Sequence, residues 1–198
     1  MKIKIWAGIA LVVVLVLAGY GGRQWLGHEE RIDAASLRAM EQVLDWPTVP
    51  HLVSLLIMEK YGAPQVVTAD KLEWYGRWPW KRIVVRADEP LNPLEQVVDY
   101  YLSSDNVETL SRFPHGLRIY ADKGELGACS DREELNRMAL NLANDIVTGR
   151  KTPEQASKFF LKTADLSVSG KSSPYMDRML FEVTPPDRLD TYRMMPPF

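Results

Sequence analysis

Cys129 and His115 are the first pair to weigh, because a thiol beside an imidazole gives up its proton and becomes a nucleophile. They could meet across a hairpin, yet a small apolar thiol just before a helix commonly packs, and packing is the expectation. A helix N-terminus beside Cys129 would lower its pKa only if the thiol were exposed. His28, His51 and His115 each stand alone, with no second histidine three or four residues away, so no metal centre is expected. The chain has no Gly-x-Ser-x-Gly, no phosphate loop and no dinucleotide fingerprint, so no catalytic residue and no cofactor is assigned. A polar set remains. Glu134, Asn141 and Asp145 run down one edge of a helix, Asn136 sits within its other flank, and Glu125 lies on the hairpin that feeds it. Glu125, Asn136, Asn141 and Asp145 together could bind a cation or a polar ligand in a small acidic pocket. The alternative is that they satisfy backbone groups of nearby loops, and for Asn141 and Asp145 that structural role is the expectation.

Residues 130–149 must position this set. At 100° per residue, Leu135, Met138, Ala139, Leu142 and Ile146 fall within about 100° of one another, the stripe of a helix that covers a core. Ser130 and Glu133 have the spacing of a capping box, and Gly149 supplies the left-handed residue that closes a helix. Just upstream, residues 116–121 and 125–129 flank Asp122-Lys123-Gly124, a hairpin signal.

The rest of the chain supplies further layers. Residues 33–44 read as a helix stopped by Trp46-Pro47, and a second helix runs from Thr48 to Tyr61-Gly62-Ala63-Pro64. Residues 65–68, 71–75 and 81–86 read as strands, the last two joined through Gly76-Arg77-Trp78-Pro79-Trp80. Trp46, Trp74, Trp78 and Trp80 are expected in core and strand-face packing rather than in a cofactor pocket. Asn92-Pro93-Leu94-Glu95 has a helix-start pattern, yet residues 94–101 suit a strand equally, so both assignments stay open. Residues 104–113 read as a helical turn or two, and Thr152-Pro153 opens a helix to about Thr163. Residues 165–198, with Ser and Pro spread along them, are expected to form a mobile tail that docks once if at all.

Met1 to Lys4 carries two lysines, and residues 5–20 are uncharged and mostly apolar, the arrangement that membrane insertion reads. The run spans about 24 Å at 1.5 Å per residue, near the lower limit for a bilayer core. Its cleavage pattern is poor, so residues 1–26 are expected to be an uncleaved single-pass anchor, with secretion after cleavage as the alternative. The N-terminus is then cytoplasmic and the domain of residues 27–164 extracytoplasmic. The formal charge of −2 and the lack of a long basic run argue against a nucleic-acid surface. One cysteine excludes an internal disulfide, so packing must hold the fold. The fold class expected is α+β: a membrane helix, then helices on a small antiparallel sheet built from hairpins.

Residues 124–131, then Asn136, then Ala139-Leu140-Asn141-Leu142-Ala143-Asn144-Asp145-Ile146-Val147-Thr148-Gly149, resemble a family of uncharacterised, often exported bacterial proteins. Glu59-Lys60-Tyr61-Gly62-Ala63-Pro64, Trp78-Pro79-Trp80-Lys81-Arg82 and residues 94–100 add to the resemblance, which spans about residues 55–163. Such proteins often carry histidines just before the Leu-Glu-Gln-Val piece, where this chain has residues 88–93 without one. The resemblance implies a compact α+β domain and brings no catalytic residues. The function expected is a membrane-tethered, non-catalytic envelope domain that binds a protein, lipid or small ligand. The alternative is a metal-dependent or other hydrolase using the Glu125, Asn141 and Asp145 region.

Overall fold

Alternation of apolar and polar side chains along six short strands sets the layers of this domain. The computed structural model describes residues 34–183. Helices α1 (Ala34–Val43) and α2 (Thr48–Tyr61) come first, followed by β1 (Val66–Val67), β2 (Lys71–Arg77), β3 (Trp80–Arg86) and β4 (Leu94–Asp99). Helix α3 (Ser104–Leu110) leads to β5 (Leu117–Tyr120), a 3₁₀ turn (Ala121–Lys123) and β6 (Glu125–Ser130). Helices α4 (Glu133–Val147), α5 (Pro153–Val168) and α6 (Pro174–Asp177) follow. The domain is thus α+β, with six helices among the described residues and one antiparallel sheet in the order β1-β2-β3-β4-β6-β5. The expected anchor at residues 5–20 lies outside the described residues; among those described, no helix is long and apolar enough to cross a membrane.

The register places Leu72, Ile83, Gln96, Ala128 and Leu117, and their alternate neighbours Trp74, Val85, Leu94, Val98, Leu126 and Ile119, on one face. That face and the stripe of α4, with Met138, Leu140 and Leu142 fully buried, form the core. Each such side chain contributes about 1.5–3 kcal/mol by leaving water. Trp46, Trp74 and Trp80 belong to this core, and their indole N–H groups donate to Ala69 O at 3.0 Å, Gly62 O at 2.8 Å and Tyr61 Oη at 3.0 Å. Trp78, at the β2–β3 turn, is 65% exposed.

Residues 94–99 resolve as a strand between β3 and β6. Their local helix-start pattern loses because five of the six residues are buried and the ladders on both sides take up the backbone groups. The expected Ser130–Glu133 capping box does not form. Ser130 is held in β6 opposite Leu94, its hydroxyl bonds Arg132 on both backbone groups, and α4 starts from Arg132 without a side-chain cap. The closing residue is as expected: Gly149 has φ +72°, and Arg150 N–H donates to Asp145 O at 2.8 Å. Thr152 and Gln155 cap each other at the start of α5.

The expected boundary at residue 164 falls inside a helix, because α5 continues to Val168. Residues 173–183 then fold back on α4, with Met176 and Val183 buried. The docking that the tail was expected to make at most once falls at residues 173–183, and residues 184–198 lie outside the described residues.

Two glycines separate backbone strain from collision. Gly149 (φ +72°) has open space where a Cβ would stand, whereas at Gly116 (φ +70°) a Cβ would drive into the Cys129 carbonyl. Gly149→Ala should cost about 1–2 kcal/mol for the left-handed backbone alone, and Gly116→Ala measurably more. Urea midpoints compare them, and equal losses would show that β6 yields without cost.

Candidate functional site

The sheet separates the residues that the sequence grouped. Glu125 opens β6 on the face turned away from the helices, pairing with Lys81 at 2.9 Å and Arg82 at 3.3 Å, while Lys81 also holds Asp99 at 2.6 Å. Asn136 is on the helix side, donating to Leu94 O at 3.0 Å and to Gln96 Oε1 at 3.1 Å. Asn141 clamps the returning segment: its amide donates to Tyr175 O at 2.9 Å and Arg178 O at 2.8 Å and accepts from Leu180 N–H at 2.7 Å. Asp145 accepts from Arg150 at 2.9 Å, Lys151 at 2.5 Å and the Tyr175 hydroxyl at 2.6 Å. Asn141 and Asp145 therefore both engage the 173–183 segment, Asn136 joins helix to sheet, and Glu125 meets none of them. No acidic pocket unites Glu125, Asn141 and Asp145.

The side chains of Cys129 and His115 have different partners, although Cys129 N–H donates to the Gly116 carbonyl beside His115 at 2.8 Å. The thiol accepts from Arg118 Nε at 3.3 Å on the charged face, and burial pushes its pKa up to about 11, which leaves it a neutral thiol. His115 stacks on Phe160 of α5 at 4.2 Å, and burial lowers its pKa. Among the described residues, no group of His, Cys, Asp and Glu side chains could hold a metal ion.

The charged face carries its own logic. Glu73, Glu95 and Glu125 point there and are each less than a tenth exposed. Each has partners: Lys71 at 2.6 Å and Tyr75 on Glu73, the Tyr120 hydroxyl at 2.5 Å and Arg86 at 3.5 Å on Glu95, Lys81 and Arg82 on Glu125. Burial and the Glu95 contact push the Tyr120 phenol up to about 12, so it remains a donor. Saturated carboxylates of this kind hold a sheet face together and offer no free base.

Around Glu133 the structure assembles a group that sequence reasoning missed. Its carboxylate accepts from Lys60 at 2.6 Å, Tyr61 at 2.8 Å, Gln96 at 3.0 Å and Arg137. Burial raises the Tyr61 phenol above its ordinary value, which keeps it protonated as a donor. Gln96 in turn accepts from Asn136, whose own Oδ1 is buried without a partner. Two carboxylate oxygens offer about four lone-pair positions, and all are used. The only sequence signals were two distant pieces of the resemblance, Glu59-Lys60-Tyr61 and Leu94-Glu95-Gln96, with nothing to say that they meet.

Beside this group lies an open groove of about 480 Å³ between α2 and the start of α4. Val53, Leu56, Ile57 and Leu94 supply its apolar wall, and Glu59, Lys60, Asp131, Arg132 and Glu134 its rim. Apolar surface beside a few fixed polar groups suits binding. No family model, no curated protein and no solved structure matches this chain.

Three of the buried carboxylates contribute to the acid response. Burial alone would raise Asp145, but the hydrogen bonds from Lys151 and Tyr175 and the charges of Lys151 and Arg150 outweigh it and hold it below 3.8. Burial is likewise outweighed by Lys81 and Arg82 at Glu125 and by Lys71 and Tyr75 at Glu73, both held below 4.5. A depressed folded pKa gives stability that is complete above the ordinary value and is lost as pH falls through the folded one. The urea midpoint should therefore be level near neutrality and fall as pH drops below 4.5. Asp145→Asn should lose roughly 1–3 kcal/mol at pH 7, and its deficit against the parent should shrink under acid. A deficit independent of pH would mean that Asp145 titrates normally.

Proposed function

We propose that this protein is a membrane-anchored, extracytoplasmic binding module whose groove between α2 and α4 is the binding surface. Residues 5–20 serve as the uncleaved single-pass anchor, with the N-terminus in the cytoplasm. The basic start before an uncharged apolar run supports that topology, as does the resemblance of residues 55–163 to often-exported bacterial proteins.

One observation carries the binding reading. Helix α2 is apolar around most of its circumference: Val53, Ile57 and Met58 are buried, while Leu56 lines the groove 62% exposed and Leu52, one turn earlier on the helix, is 53% exposed. A helix apolar on every side is normally buried on every side, and exposed apolar surface rimmed by polar groups marks an interaction site. Glu133, the buried acid nearest the groove, is fully occupied by four donors, which favours binding there over proton transfer.

Two measurements test the reading. Alkaline phosphatase fused after Phe198 should be active in a bacterial host, and a bright cytoplasm-only fluorescent fusion would reverse the topology. Loss of about 20 residues from the purified N-terminus would replace anchoring with secretion. For the groove, a screen of small-molecule fragments by methyl NMR on the full chain in lipid nanodiscs should shift Leu52, Leu56 and Ile57 first. Leu161 and Val168, exposed elsewhere, should stay put. Shifts spread evenly over all exposed methyls would sink the site.

A further inference from the structure

We propose that the groove takes a cationic amphipathic segment of a partner protein, its apolar side chains against Leu52, Leu56 and Ile57 and its lysines or arginines against Glu59, Asp131 and Glu134. This rests on the reading of the groove as the binding surface and names the class of occupant.

Geometry supplies the apolar half. At 100° per residue Val49, Leu52, Val53 and Leu56 fall on one face of α2, spaced i, i+3, i+4 and i+7. Val49, Leu52 and Leu56 are 38%, 53% and 62% exposed, while Val53 and Ile57 sink into the wall. This is the surface against which a second helix lays its own apolar stripe.

Charge chooses the occupant. Four carboxylates and two bases line the groove. Lys60 is committed to Glu133 at 2.6 Å, and Arg132 lies 3.6 Å from Asp131. Glu59 and Glu134, both exposed, form no ion pair among the described residues, so the rim presents net negative charge to solvent. An anionic lipid surface would be repelled by it. A second copy docked about a two-fold axis would set carboxylates against carboxylates, which costs affinity. A segment with basic flanks around apolar anchors matches both halves.

The test uses the full chain in nanodiscs of zwitterionic lipid, with empty nanodiscs as reference. One fluorescent peptide of about 14 residues carries leucines at i, i+3, i+4 and i+7 with lysines elsewhere, and a second has glutamates in place of the lysines. Anisotropy should show the lysine peptide binding at least about tenfold tighter than the glutamate peptide, and weakening as salt is added. Leu56→Asp should weaken it by about tenfold or more with an unchanged urea midpoint, because Leu56 is exposed. Glu59→Lys with Glu134→Lys should reverse the preference.

Equal binding of the two peptides, or a preference for the glutamate peptide that Leu56→Asp abolishes, overturns the cationic class and leaves the groove as a binding surface. Binding of neither peptide, or binding indifferent to Leu56→Asp, overturns both. Self-association or capture of anionic vesicles, lost in Leu56→Asp, would assign the face to a second copy or to lipid instead.

Discussion

The carboxylate of Glu133 is the point on which the described domain turns. It gathers the end of α2 through Lys60 and Tyr61, the middle of β4 through Gln96 and the next turn of α4 through Arg137; Trp80 of β3 joins through Tyr61. A buried charge is tolerated only when paired and fully hydrogen-bonded, and the penalty for removing one partner exceeds the worth of keeping it. The group therefore fixes the angle at which α2 and α4 lie on the sheet. The groove is the space left between them.

The opposite sheet face solves a different problem. Val84 and Val97 are buried there outside the main apolar cluster, amid Arg82, Arg86, Tyr120 and the other long side chains of the same face. Such chains cover apolar surface with their stems and keep their charged ends toward water. Those ends then meet glutamates that are themselves largely buried, so cover and counter-charge come from the same residues. Gly127 in the middle leaves room for this, since a Cβ there would press on Val97 and Arg118.

Local pattern revealed what is locally determined. The apolar stripe of α4, its closing Gly149, the Thr152 cap and the two hairpin turns are set by neighbours within a few residues, and each was legible. Strand β4 was not, because Asn92-Pro93-Leu94-Glu95 states a helix start locally while the decisive partners, β3 and β6, lie elsewhere in the chain. Glu133 was misread for a related reason: its spacing from Ser130 suits a cap, and its true partners Lys60, Tyr61 and Gln96 are distant in sequence. A single docking of the tail was allowed for, but its partner was not legible, because Asn141 holds backbone groups of residues 173–183, which have no residue-type signature. Of the expected site residues, Asn136 alone belongs to the Glu133 group, Asn141 and Asp145 share the 173–183 segment, and Glu125 stands apart on the other sheet face.

The strand order also bears on how the chain reaches this state. Strands β1 to β4 form one meander and β5–β6 a separate hairpin, and the β4–β6 ladder from Leu94–Ser130 to Asp99–Glu125 is the sheet contact between them. Hairpins close in microseconds, whereas joining two preformed pieces must first overcome the entropy of the connecting loop. Gln96 and Ala128, directly opposed on that ladder, carry the polar and apolar halves of the join on the helix side. Glu133 and Gln96 lie on opposite sides of that join, so the polar centre of the domain is complete only when the two pieces are paired.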